Sequence, residues 1–189
     1  MNIDAVIMQI RACSTFLARD ANGETCVAGA AELAQVVDKA WLKRPAAYVI
    51  PLDDAAGDNI SLNGLDQDVT ETIGIVVDMP NRTDQRGQHA SSLVDLARAD
   101  LFRCILNWRP DWATGASKGF SYAGGHLVHM DRERLHWQFD FSLKILITDE
   151  DGWQPPADPI IGIEATLTDP ESGDDTPFGF TLGSPGGNT

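Results

Sequence analysis

The sequence predicts an α+β fold: helices packed on a mostly antiparallel sheet with a long C-terminal β-hairpin, followed by an extended acidic C-terminal arm. Three observations lead there. All seven odd positions from Leu135 to Ile147 are apolar, the period-two signature of a strand with one covered face. Residues 88–107 instead place Leu93, Ala97, Leu101, Cys104, Ile105 and Trp108 on one helical stripe, with Pro110 as the stop. Composition then changes near Asp149–Gly152, and residues 151–189 hold 7 acidic residues without a single Lys or Arg. The last 39 residues also hold 6 of the 10 prolines and 7 of the 17 glycines, as arms and linkers do. The chain is therefore divided into an α+β body, residues 1–150, and an acidic Gly/Pro-rich arm, residues 151–189.

The elements follow in order. Asn2 is a suitable N-cap for an amphipathic helix over residues 3–18, carrying Ile3, Val6, Ile7, Ile10 and Leu17. Asp20–Thr25, with Asn22-Gly23, is a turn, and Cys26-Val27 begins a short strand. Leu33, Val37, Ala40 and Trp41 mark a second helix ending before Pro45. Ala46–Ile50 is a short apolar strand between two prolines, and the Asp-, Asn- and Gly-rich stretch Leu52–Leu65 reads as a polar loop. Val69, Ile73, Ile75, Val77 and Met79 then share one face of a strand closed by Pro80, with Asp68, Thr70, Thr72 and Asp78 on the other. In the helix that follows, Asp95–Arg98 and Asp100–Arg103 have the spacing of exposed ion pairs. Phe120–Met130 reads as a strand, with a bulge at Gly124-Gly125, and Asp131–Arg134 supplies the turn into the long strand. That last strand spans about 40 Å at ~3.3 Å per residue, longer than one core needs, so its far end is expected to meet another subunit.

Length and charge bound the function. A chain of 189 residues can bury ~70% of the surface exposed when unfolded, so a sizeable core is available. The net charge of −14 argues against a nucleic-acid reader, which needs a surplus of Lys and Arg. No apolar run reaches the ~20 residues of a membrane span, and no signal peptide opens the chain. Cys13, Cys26 and Cys104 are odd in number, widely spaced and without a C-x-x-C, as befits small buried hydrophobes in a reducing cytosol.

A search for chemistry returns nothing positive. His126 and His129 are three apart, which on a regular strand sends them to opposite faces, while His136 falls on the polar face of the long strand. No Cys/His cluster or H-E-x-x-H is present, so neither metal nor cofactor is expected. Asp53, Asp54, Asp58 and Asn59 lack the spacing of a calcium loop. Neither a Walker motif, a dinucleotide fingerprint nor a nucleophile elbow occurs. No catalytic residue is assigned and the chain is not expected to be an enzyme. A small cytosolic enzyme or ligand-binding domain using the His126–His136 hairpin is the remaining alternative from a different class.

A resemblance supplies what chemistry does not. Gly29-Ala30-Ala31-Glu32-Leu33, Pro45–Leu52, Ala55-Ala56-Gly57-Asp58-Asn59 and Gln67–Glu71 leading into Ile73–Val77 form its first half. A helix ending Leu106-Asn107-Trp108-Arg109-Pro110, then Tyr122–Leu127 and Leu135–Phe139, complete it. In this order and spacing the segments resemble the tail terminator proteins of long-tailed bacteriophages and related prophage particles, over roughly residues 1–150.

The resemblance implies a structural virion protein, assembled in the host cytoplasm and carried at the tail–neck junction. Its members form a ring, typically a hexamer, that caps the tail tube, stops its polymerisation and joins the tail to the neck. The implied partners are further copies of itself, the tail tube protein, neck or head-completion proteins, and genomic DNA passing through the lumen without specific binding. A head-completion or neck connector subunit is the alternative within the virion. Candidate subunit-interface residues are His136, Gln138, Asp140 and Lys144 on the long strand. Ile161, Ile163, Phe178 and Phe180 join them from two alternating stretches of the arm, which is expected to dock on a neighbouring subunit or partner.

Overall fold

A computed structural model describes residues 2–30, 43–81, 88–113, 118–154, 162–168, 172, 173 and 175–181, with the backbone alone for 162–168 and 175–181. The second helix expected around Leu33–Trp41 lies outside the described residues. The chain divides into two compact units, Met1–Gly152 and Trp153–Thr189.

In the first unit, helix α1 (Ile3–Cys13) starts where the Asn2 side chain accepts a hydrogen bond from the Ala5 amide at 3.1 Å. Asp4 in its first turn and Arg11 in its last complement the helix dipole. The strands are β1 (Val27–Gly29), β2 (Ala46–Asn59), β3 (Asp66–Pro80), β4 (Ser121–Met130) and β5 (Arg134–Thr148), and helix α2 (Gln88–Ile105) lies between β3 and β4 in sequence. They form one five-stranded sheet in the order β1-β2-β3-β5-β4, antiparallel except for the β1–β2 pair. The α+β class and the long hairpin are as the sequence predicts.

Period-two patterning explains the core. Ile73, Ile75, Val77 and Met79 of β3 and Leu135, Phe139, Phe141 and Leu143 of β5 project to one face and are buried. Against them pack Val6, Ile7 and Ile10 of α1 and Val94, Ala97, Leu101, Cys104 and Ile105 of α2. Each Val, Leu, Ile, Met or Phe among them contributes about 1.5–3 kcal/mol when fully buried. A smaller cluster of Cys26, Ala30, Ala46, Tyr48, Ile50 and Val76 buries the middle of the opposite face. All three cysteines are free, and burial pushes the Cys104 thiol up to about 12.

Two expectations are corrected. The polar stretch after Ile50 is not a loop: β2 continues through Asn59, paired with β3 as far as Asn59↔Gln67. Its low apolar content misled because strand formation here rests on backbone pairing with the prolonged β3, not on burial. Nor is Asp100 part of an exposed pair. Although Arg103 contacts it from the surface, Asp100 is 4% exposed and accepts from Ser14 Oγ at 2.5 Å, Thr15 N at 3.0 Å and Thr15 Oγ1 at 3.2 Å. Its carboxylate thus fastens the end of α1 to α2. Asp95–Arg98 is an exposed pair at 2.7 Å, as its spacing suggests.

Where the chain leaves α2, Asn107 donates to Phe120 O at 2.8 Å and Phe120 donates to Trp108 O at 2.9 Å. A Cβ on Gly119 would stand 2.3 Å from the Asn107 carbonyl, so this close backbone approach requires glycine.

The second unit contains an antiparallel hairpin of β6 (Gly162–Thr168) and β7 (Asp175–Thr181), with Ile163 opposite Phe180 and Ala165 opposite Phe178.

Candidate assembly surface

The sheet leaves two different flanks. On one side, β1 covers β2 only at Ala47–Val49, so from Pro51 to Asn59 the outer edge of β2 has no strand neighbour among the described residues. All nine of these β2 residues are exposed. Here β2 pairs with the first half of β3, and β3 pairs with β5 through Asp66↔Thr148, giving a three-stranded ribbon that runs past the core. From Pro51 to Glu71 the sequence carries six acids and no base. The ribbon's cation is Lys144 of β5, whose Nζ meets Asp68 Oδ2 at 2.7 Å. Register shifts at Pro51/Asp53 and Ala56/Asn59, together with the carboxylates, discourage indiscriminate edge pairing.

The opposite flank is β4, largely exposed along its ten residues and twice bulged, at Tyr122/Gly124 and Leu127/His129. The first inserts Ala123, immediately before the Gly124-Gly125 pair where a bulge or close backbone approach is anticipated. The second overturns the expectation for the histidines. His126 lies opposite Gln138 and His129 opposite His136, so the inserted Val128 returns both rings to the same face. His126 Nδ1 is 3.9 Å from Asp140 Oδ2, His129 Nε2 is 3.4 Å from Asp131 Oδ2, and the His129 and His136 ring centroids are 5.9 Å apart. Backbone amides of Glu133 and Arg134 hold the Asp131 carboxyl below its ordinary value. Among the described residues, no group of three or more His, Cys, Asp or Glu is placed to hold a metal ion.

The four long-strand candidates share the face away from α1 and α2, but they are not equally accessible. His136, expected on a polar surface, is fully buried, because β3 and β4 flank it and Asp78 and His129 close over the ring. Its Nε2 is 3.5 Å from Asp78 Oδ1, while Arg44 donates to the other carboxylate oxygen of Asp78 at 3.1 Å. Among the described residues, neither ring nitrogen of His136 has a hydrogen-bond partner. Burial drives the His136 imidazole below its ordinary pKa against the pull of Asp78, and drives Asp78 above its own against His136 and Arg44. Gln138 is also buried and donates to Asp140 Oδ1 at 2.7 Å. Asp140 is half-buried and Lys144 exposed, so these two offer side chains to solvent. Of the arm residues, Ile163, Phe178 and Phe180 lie on β6 and β7, and Ile161 falls outside the described residues.

Sequence reasoning missed the β2 ribbon edge. The available signal was the matching length of the polar stretch and the strand after it, which a period-two search for apolar residues does not register.

No helix among the described residues is long and apolar enough to cross a membrane. No curated protein matches the chain. The phage tail terminator protein family model matches residues 11–151, which covers the five-stranded sheet, α2 and the last turn of α1. With the match extending over most of its length, the chain belongs to the phage tail terminator family, structural proteins of the virion tail that interact with other tail and neck components.

Proposed function

We propose that this chain closes into a homo-oligomeric ring, six subunits by family likeness, that caps the tail tube, halts its polymerisation and seats the neck. The family match over residues 11–151 carries this reading. The two unlike flanks support it, because a head-to-tail ring needs two complementary patches on every subunit, not one self-complementary patch. In this reading Asp140 and Lys144, on the sheet face away from the helices, contribute to such contacts, and the arm residues Ile161, Ile163, Phe178 and Phe180 add a second contact to a neighbour or to a neck protein. Carboxylates facing the lumen repel DNA in transit and keep it from adhering. The acid-only stretch Pro51–Glu71 is a source of such a lining.

Negative-stain microscopy with mass measurement, on the free protein and on capped tubes, tests the ring. Sixfold rings at tube ends are expected, and particles of another symmetry would refute the stoichiometry. A basic channel in the assembled ring would contradict the DNA-passage reading. Deleting residues 151–189 is expected to impair neck attachment or ring closure, and unchanged assembly would remove the arm from this account.

A further inference from the structure

The turn joining β2 to β3 is unusual for an exposed tip. Asn59 Oδ1 accepts from Ser61 N at 3.1 Å and from Asp66 N at 2.9 Å, and its Nδ2 donates to Gly64 O at 2.9 Å. Ile60 N donates to Asp66 O at 2.8 Å, and Leu65 N donates to Asp149 Oδ1 at 2.8 Å. The backbone is thus held across the turn and to the end of β5. Yet Ile60 is 70% and Leu62 100% exposed. Single exposed apolar residues are ordinary. Two large ones on a braced turn form a presented knob, whose order is already established before any partner arrives.

The same unit carries a receptor of matching character. Val94 of α2, Leu127 and Met130 of β4, and Leu135 and Trp137 of β5 line an apolar groove of about 330 Å³. Leu127 is 47% and Met130 53% exposed in it. A subunit cannot fill its own groove, since the knob is tied to Asp149 while the groove lies at the start of β5. Eleven residue steps along the strand from Trp137 to Thr148 separate them, about 36 Å at ~3.3 Å per residue. Charge does not oppose a meeting between copies. Asp58 and Asp66 flank the knob, and the groove rim is close to neutral, with Arg98 paired to Asp95 at 2.7 Å and exposed Arg132 between Asp131 and Glu133.

We propose that Ile60 and Leu62 at the ribbon tip of one copy seat in the α2–β4–β5 groove of the next. This rests on the ring reading and specifies the contact that propagates it head to tail. Removing a buried aliphatic anchor from such an interface weakens association about ten-fold or more.

The experiment uses the full chain, with sedimentation across a concentration series and a photo-crosslinking residue at position 62. Leu62→Asp, at a fully exposed site, is expected to leave circular dichroism and melting unchanged while weakening self-association at least ten-fold. Leu127→Asp is expected to match it, and the crosslink is expected to map to residues 127–137 of a different copy. Rings that form equally well with Leu62→Asp overturn the contact and leave the ring standing. A crosslink elsewhere on a second copy, or to the tail tube protein, likewise overturns it. Wild-type chain that stays monomeric throughout, both free and on tube ends, overturns the contact and the ring together.

Discussion

At the residue scale, the most consequential side chains are buried acids that the sequence offers as surface charges. Asp100 receives donors from Ser14 and Thr15, so Asp100→Ala strands them and releases α1 from α2. A loss of about 2–3 kcal/mol is expected from the urea unfolding midpoint, in line with hydrogen bonds to charged groups. His136 makes a pH-dependent contribution. Its folded-state pKa lies below the unfolded value of 6.5, so the unfolded chain takes up the proton first as pH falls. That contribution is intact above pH ~6.5 and declines as the solution is acidified below it. Asp78 works in the opposite sense, because its raised pKa lets the folded state keep a proton that the unfolded state has released. Unfolding free energies from pH 7.5 to 6 are therefore expected to fall more steeply for the wild type than for His136→Gln. Parallel slopes would refute the assignment.

At the element scale, β2 and β3 are each two things in succession. Their halves near Ala46–Ile50 and Ile73–Met79 are core strands, and the remaining lengths form a ribbon held chiefly by ladder hydrogen bonds. The two regimes respond differently to substitution. Phe139→Ala, at a fully buried position, is expected to cost about 4 kcal/mol in denaturant unfolding through lost transfer energy and a residual cavity. Asp54→Ser on the ribbon is expected to change stability by no more than about 0.5 kcal/mol, because the Asp54 side chain is exposed. Apolar alternation identified β5 and the core half of β3 from sequence, since burying one face of a strand leaves that imprint. It could not identify the β2 extension, whose residues after Leu52 are polar, alanine or glycine and whose partners are 8 to 19 positions away. The second β4 bulge was equally hidden. Its effect is to reverse which face His129 occupies, and Val128 carries no local mark of it.

At the scale of the whole molecule, the two compact units predict independent folding of the first. A chain ending at Gly152 contains the complete five-stranded sheet and both described helices. It is expected to unfold cooperatively with a melting temperature within a few degrees of the full chain, as scanning calorimetry would show. A broad, non-cooperative transition would mean that the acidic hairpin is needed to complete the body.

Charge has a similar division. Of the net −14, half belongs to residues 151–189, and the body concentrates acids along Pro51–Glu71. Composition alone revealed the first concentration. The second became a surface only when pairing with β3 turned a polar segment into an exposed strand.

The sequence by itself determined the α+β class, the long hairpin, the acidic arm and the family, because burial periodicity, composition and ordered motifs are all properties of neighbouring residues. Only the tertiary structure decided that His136, Asp78 and Asp100 are interior, that two histidines share a face, and that the sheet ends in two unlike flanks. Those facts depend on which distant strand or helix covers a residue, and side-chain polarity does not encode that.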